Sequence, residues 1–483
     1  MPGQAAFVPL SDYLRLDLSF CGTKVVCAEG DCGACTVLLG SLDSAEQISY
    51  VPVNSCIQFM YQLDGRHVIS VEGLSTSGES PVDLSALNPV QEAMVTENGT
   101  QCGYCTPGFV MALCSLADTC KKQGVKPGAC QVKDALTGNL CRCTGYEGII
   151  EAGLKMDLSR FKALNELYPQ SEIVPKLKAM LGEAVQVEDK GRVAFIPNSL
   201  ASALRYLASH EKVSLVSGGT DLSVNINKRG LLPETILSTH RLGELEKVEL
   251  LEGGPRAELK VGARVTLAHL ESVFADLCPE FADILWVFGS PQIRHAGTMA
   301  GNIANGSPIA DSLPFLFVMD ADVEVAYHGG SRRIAMKDLY TGYKTMSLKK
   351  GEMISAVFIP LPQEGERLKL YKVSKRQHLD ISAFTAAIKV KLNAQNKIEQ
   401  CRVVFGGVAP TVVYVPEVEK ALLGQPHELS TYEKAGQVAA GCIKPISDVR
   451  GSADFRSTLA ENIFVKFFYE SDKQRSRETV SCK

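Results

Sequence analysis

Cys27-Ala28-Glu29-Gly30-Asp31-Cys32-Gly33-Ala34-Cys35 places three cysteines within nine residues, and Cys56 follows after twenty intervening residues. Four residues separate Cys27 from Cys32 and two separate Cys32 from Cys35. This is the C-x4-C-x2-C…C spacing of a [2Fe–2S] site. Four thiolates must converge on one small cluster, so the loop has to fold tightly. Gly30 and Gly33 permit positive φ and close backbone approach, and inward-pointing amide N–H groups stabilise an anionic cluster. The alternatives are a zinc site or a set of buried free thiols. Around the loop the chain reads as a helix-like stretch at 10–15 and strand-like pieces at 35–39, 48–53 and 67–71.

The whole chain has 483 residues and sixteen cysteines. Twelve of the cysteines precede residue 144, and Cys278, Cys401, Cys442 and Cys482 are scattered. Length implies about three domains. No apolar run reaches membrane-spanning length, and residues 1–7 lack the pattern of a secretion signal. The expected location is cytoplasmic, where clustered cysteines point to metal rather than disulfides. A net charge of −4 gives no sign of nucleic-acid or anionic-membrane binding.

Residues 80–156 read as all-helical. Asn88-Pro89 and Thr106-Pro107 each look like an N-cap followed by proline at the first helical position. Cys105 then precedes a helix through 109–116, whose N-terminus favours thiolate. Cys102 and Cys105 have two residues between them, and Cys141 and Cys143 have one. A zinc knuckle prefers two inside both pairs, so a second cluster is expected on Cys102, Cys105, Cys141 and Cys143. Cys21, Cys114, Cys120 and Cys130 read as packed or exposed thiols.

The cysteine loop, Gln101-Cys-Gly-Tyr-Cys-Thr-Pro-Gly108 and Asn139-Leu-Cys-Arg-Cys-Thr-Gly-Tyr146 together resemble the iron–sulfur region of the molybdenum hydroxylases. That group includes xanthine dehydrogenases, aldehyde oxidases and carbon monoxide dehydrogenases. The resemblance implies a β-grasp ferredoxin domain over 1–76 and a four-helix domain over 80–156. It also implies that Gln101 reaches the pterin of a molybdenum cofactor held by a partner subunit; by itself Gln101 would be a surface amide. Family members usually carry a β-hairpin before the stretch matching 12–15, where this sequence has only about ten residues; either the start lies further upstream or the sheet edge is covered otherwise.

Residues 157–192 are charged and mixed, and read as a linker with some helix at 175–181. From 193 strands alternate with helices. Val213-Ser214-Leu215-Val216 runs into Ser217-Gly218-Gly219-Thr220-Asp221-Leu222, a strand–turn–helix that suits an anion, though an ordinary turn has the same look. The segment 288–311 is dense in Gly, Asn, Ser and Thr. It resembles the flavin-binding signature of the same enzyme group, and 217–222 resembles its first pyrophosphate loop. The resemblance implies that Ser217, Gly218, Gly219, Thr220, Asp221, Leu222, Thr298, Gly301, Asn302 and Asp311 surround FAD. It puts Phe288 near the isoalloxazine, where core packing is the alternative, and gives His295 no catalytic claim. Lys372 and Asp380 lie in segments resembling the entry to the flavoprotein's third part, and their basic neighbours suit FAD phosphates, NAD+ or simply solvent. The FAD-binding domain is expected over 193–365, a C-terminal α+β module over 367–470 and a tail over 471–483.

The expected fold is therefore multidomain α+β, and the order of modules resembles the small subunits of bacterial xanthine dehydrogenases. The resemblance implies two [2Fe–2S] clusters and FAD, carrying electrons from a partner's molybdenum centre to NAD+ as hypoxanthine or xanthine is hydroxylated. It implies a molybdenum-binding large subunit in a dimer of heteromers. An aldehyde or N-heterocycle hydroxylase, or a stand-alone electron carrier, are the alternatives.

Overall fold

A computed structural model describes residues 3–43, 45–75 and 87–471. Two compact units make up the chain. The first comprises Met1–Ala203, His210–Gly243 and Ser290–Gly297, and the second Leu204–Ser209, Glu244–Gly289 and Thr298–Lys483.

The first unit opens with a short helix, Leu10–Asp12, continued as a π-helical turn over Tyr13–Asp17. It packs on a three-stranded antiparallel sheet. Thr36–Leu42 is central, with Ile48–Asn54 on one side and His67–Ile69 on the other. The central strand is buried on both faces, which explains its unbroken apolar run. Val37 and Leu39 join Leu10 and Leu14, whereas Leu38 faces a different core. That core also takes Phe109, Leu113, Val132 and Ile149 from the helices Thr106–Gln123, Ala129–Leu136 and Glu147–Lys155. The sheet and the helices are thus built on one hydrophobic cluster.

Asn88 caps the helix Pro89–Thr96 through its side chain, as expected. At the next helix the expectation shifts by one residue. Thr106 is the first helical residue, Cys105 takes the N-cap position, and Pro107 lies one place further in. Gly124, at φ +68°, closes that helix in the left-handed conformation. Cys114 and Cys120 are buried in the helix and Cys21 is exposed; Cys130, read as a free thiol, is disulfide-bonded.

The stretch 157–192 is more ordered than its composition suggested. It holds the helices Leu164–Leu167 and Gln170–Met180, and Phe161, Leu164 and Leu177 enter the shared core. Tyr168 donates to the Gly73 carbonyl at 2.8 Å and sets its ring against His67, on one of the sheet's two edge strands. The stretch ends in a strand, Val185–Asp189, which forms a hairpin with Arg192–Ile196. The hairpin belongs to a four-stranded sheet completed by Thr235–Ser238 and Val213–Val216 in parallel.

The second unit contains a five-stranded antiparallel sheet, with Met353–Pro360 between Glu258–Gly262 and Asp322–Tyr327. A four-stranded antiparallel sheet is centred on Phe384–Leu392 and Ile398–Gly406. Phe384, Ile388, Val390 and Phe405 pack beneath Tyr432 and Phe464 of the helices Leu429–Cys442 and Ala453–Ser471. The expected tail falls outside the described residues apart from Ser471. Among the described residues no helix is long and apolar enough to cross a membrane.

Candidate functional site

In the cysteine loop Gly30 and Gly33 have φ of +78° and +69°. A Cβ on Gly33 would stand 2.2 Å from the Gly138 carbonyl oxygen, so conformation and space both demand glycine there. The turn aims the N–H groups of Asp31 and Cys32 at Cys27 Sγ, each at 3.4 Å. Cys35 and Cys56 are 2% and 1% exposed. Hydrogen bonds from the Cys32 and Cys56 thiols hold Cys27 well below the ordinary thiol range, and Cys56 does the same for Cys35. Those bonds push Cys32 and Cys56 up in turn. The four thiols of the first set therefore converge, as their spacing predicts.

The second set is more open. Cys102 and Cys143 are exposed, and Gln101 beside them is exposed too. Cys143 Sγ lies 3.7 Å from Cys102 Sγ and 4.0 Å from Cys141 Sγ. Tyr146 Oη accepts from the Cys141 N–H at 3.0 Å. Burial opposes ionisation of Cys141, but the Thr144 hydroxyl and the N–H groups of Thr144 and Cys143 outweigh it and draw the thiol down to about 7. Burial pushes Cys105 up to about 12.

The donor chemistry suits a thiolate-bound cluster. Tetrahedral metal–thiolate bonds of about 2.3 Å set neighbouring sulfurs about 3.8 Å apart, close to both separations in the second set. Among the described residues no three Cys, His, Asp or Glu side chains gather to hold a single metal ion. A two-iron cluster asks only two protein thiolates of each metal.

The residues expected to meet FAD fall in both units. In the first unit the carbonyls of Ser217 and Gly218 turn toward Gln62 and Gln58, whose amides donate to them at 3.2 Å. Gly219 has φ +75°. The N–H groups of Gly218, Gly219, Thr220 and Asp221 have no partner among the described residues. Ser223 Oγ, at the start of the helix Leu222–Arg229, is buried and also unpartnered. An open row of donors at a helix N-terminus fits an anionic group.

In the second unit Lys372 and Asp311 form a buried pair at 2.7 Å, their side chains 5% and 8% exposed. Lys372 also donates to the Val287 carbonyl at 2.9 Å, and Ser382 donates to Asp311. Phe288 is half-buried. Thr298 caps its own helix, Met299–Asn305, by accepting from the Gly301 N–H. Asn302 accepts from Ser312 at 2.6 Å. Asp380 receives the Arg376 backbone and guanidinium, which hold its carboxyl below the usual range.

Sequence reasoning passed over the amides that join the cysteine-bearing segment to residues 217–227 within the first unit. Asn227 donates to the carbonyls of Ala28 and Cys56 at 3.0 and 2.8 Å. Asn227, Gln58 and Gln62 belong to no motif, so nothing in the sequence singles them out. His295 also departs from expectation. Its Nδ1 is buried and unpartnered, and burial, helped by Arg294, lowers its pKa to about 4. A depressed folded pKa means that stability present above the unfolded value of about 6.5 is lost on acidification. Lowering the pH from 7 to 5 should cost about 2 kcal/mol, and His295→Phe should flatten that part of a denaturation–pH profile.

Comparison with known proteins agrees with this geometry. Residues 70–154 match the model of the [2Fe-2S] binding domain. Residues 187–362 match the FAD binding domain in molybdopterin dehydrogenase, and 369–471 the CO dehydrogenase flavoprotein C-terminal domain. The chain is similar to xanthine dehydrogenase 1 of Arabidopsis thaliana, at 28% identity over 97% of this chain and 38% of the relative. It is also similar to the xanthine dehydrogenase/oxidase of Gallus gallus, at 27% identity over 95% and 38%. It spans about two-fifths of the length of these curated relatives. Among solved structures it resembles a chain of CO dehydrogenase from Oligotropha carboxidovorans, with TM-score 0.53 and 26% identity over 57% of this chain and 96% of that one. The fold is multidomain α+β, with [2Fe–2S], FAD-binding and flavoprotein C-terminal domains. The chain thus carries stretches similar to a [2Fe-2S] binding domain, to the FAD binding domain in molybdopterin dehydrogenase and to the CO dehydrogenase flavoprotein C-terminal domain.

Proposed function

We propose that this chain is the electron-transfer module of a xanthine dehydrogenase. It works with a molybdenum-binding partner that hydroxylates hypoxanthine or xanthine, and it delivers the electrons to NAD+ in the cytoplasm. Cys27, Cys32, Cys35 and Cys56 hold one [2Fe–2S] cluster, and Cys102, Cys105, Cys141 and Cys143 hold the other. The turn 217–222, with Phe288, Thr298, Gly301, Asn302, Asp311, Lys372 and Asp380, holds FAD. When bound, the clusters supply one-electron carriers and the flavin converts single electrons into a hydride equivalent. The protein's own residues bury Cys35 and Cys56, orient N–H groups at Cys27, and leave Gln101 exposed toward the partner's pterin. The observation that carries the reading is the first set of thiols, drawn together around N–H groups aimed at sulfur. The xanthine substrate is favoured by curated relatives of that name that match nearly the whole chain. A second reading, the equivalent module of another molybdenum hydroxylase, is favoured by the likeness to a CO dehydrogenase chain.

The test is to purify the chain anaerobically, measure iron and flavin, and record EPR spectra after dithionite reduction. About four iron atoms per chain, one FAD and two distinct reduced signals are expected. Zinc in place of iron would end the electron-transfer reading. Reconstitution with a co-expressed large subunit, assayed with xanthine and with aldehydes using NAD+ as acceptor, separates the two readings.

A further inference from the structure

The two thiol sets are joined by a direct backbone contact within the first unit. The N–H of Leu140, next to Cys141, donates to the carbonyl of Cys32 at 2.9 Å. Cys32 and Cys141 are therefore linked by covalent bonds and a single hydrogen bond. Glycines make room for the contact. A Cβ on Gly108, in the first turn after Cys105, would stand 2.1 Å from the Gly33 oxygen. One on Gly138 would stand 1.9 Å from Gln292 Oε1.

Three buried polar side chains clasp this contact. Asn139 Nδ2 donates to the Gly33 carbonyl at 3.0 Å. Gln292 Nε2 donates to Asn139 Oδ1 at 2.9 Å and to Thr36 Oγ1 at 3.2 Å. Thr36 Oγ1 donates in turn to the Gly33 carbonyl at 2.6 Å. Thr36, Asn139 and Gln292 are 1%, 2% and 1% exposed. Gln292 Oε1 has no hydrogen-bond partner among the described residues. A buried amide oxygen left unpaired is a cost to stability, and an apolar side chain of the same length would avoid it. What glutamine supplies here is the Nε2 group, which holds Asn139 against Gly33 and Thr36.

We infer that Gln292 and Asn139 are positioning residues that set the distance and relative orientation of the two thiol sets, and thereby the exchange of electrons between the clusters they bind. The inference rests on the proposal that both sets hold [2Fe–2S] clusters. Its test uses the full chain loaded with iron and FAD. Two paramagnetic clusters held close together split each other's EPR lines, and the splitting reports both distance and angle. Gln292→Met should keep about four iron atoms per chain while the resolved splitting is lost or broadened, with a lowered thermal midpoint because Asn139 Oδ1 loses its donor. Thr36→Val removes the bonds that Thr36 Oγ1 makes with Gln292 and Gly33 but keeps those from Gln292 to Asn139 and from Asn139 to Gly33, and should narrow the splitting by less. Should Gln292→Met fail to load iron, Thr36→Val decides alone. Splitting that matches the wild type in every iron-loaded variant overturns the inference. A wild-type chain without two [2Fe–2S] signals overturns the underlying proposal instead.

Discussion

Serine in place of Cys56 is expected to halve the iron of the purified chain, from about four atoms to about two, and to abolish one of two reduced EPR signals. Cys56 is 1% exposed, so water cannot take the place of the missing sulfur. Serine offers a harder, more basic oxygen that soft thiolate sites do not tolerate well. The backbone around it stays anchored, because Asn227 still donates to the carbonyl of residue 56 and Ser55 to that of Cys35. The second signal should survive, since its four cysteines sit on the Thr106–Gln123 helix boundary and the 141–143 loop. Iron analysis and EPR on the same sample check this. Two intact signals would place the fourth ligand elsewhere, and loss of both would mean that the sets assemble as one.

Gly218→Ala should lower FAD affinity about 100-fold, equivalent to about 2.7 kcal/mol, with iron content unchanged. The added Cβ would lie 1.8 Å from the Ala296 oxygen and 2.4 Å from its carbon. Both atoms are backbone, so no change of rotamer relieves the clash, and the turn carrying the unpartnered N–H groups must move. Gly219→Ala is the informative comparison. Its Cβ would meet mainly the Gln62 and Ser223 side chains, at 2.8 and 2.9 Å, yet its φ of +75° penalises any side chain. A smaller loss is expected there. Flavin titration of the deflavinated protein gives both values, and equal affinity for wild type and Gly218→Ala would remove 217–222 from the flavin site.

What the sequence made legible is what local geometry demands of particular residue types. Thiol spacing, the glycines of the 27–35 loop and the proline after Asn88 each narrow the local geometry to a few forms. The shift of the N-cap from Thr106 to Cys105 is a different case, since either residue can precede Pro107 in a helix and only packing chooses. Val185–Asp189 was hidden because it alternates half-buried with exposed positions and carries two acids, which reads as linker until its partner strand is known. Nor could the sequence say that the first sheet and the helices share a core. Leu38 looks the same whether it faces its own domain or the next. The amides at 58, 62, 139, 227 and 292 are legible least of all, because each acquires meaning only through a carbonyl or side chain distant in the chain.

The bonds from Asn227 to Ala28 and Cys56 have a bearing on biogenesis. A ribosome releases the cysteine loop long before it releases the helix Leu222–Arg229, and Gln292 emerges later still. The nascent loop is therefore without its amide tethers while most of the first unit is being synthesised. Loading of the first thiol set is thus best timed after that helix has docked, and metal delivered earlier would meet a loop still open to scavenging and oxidation.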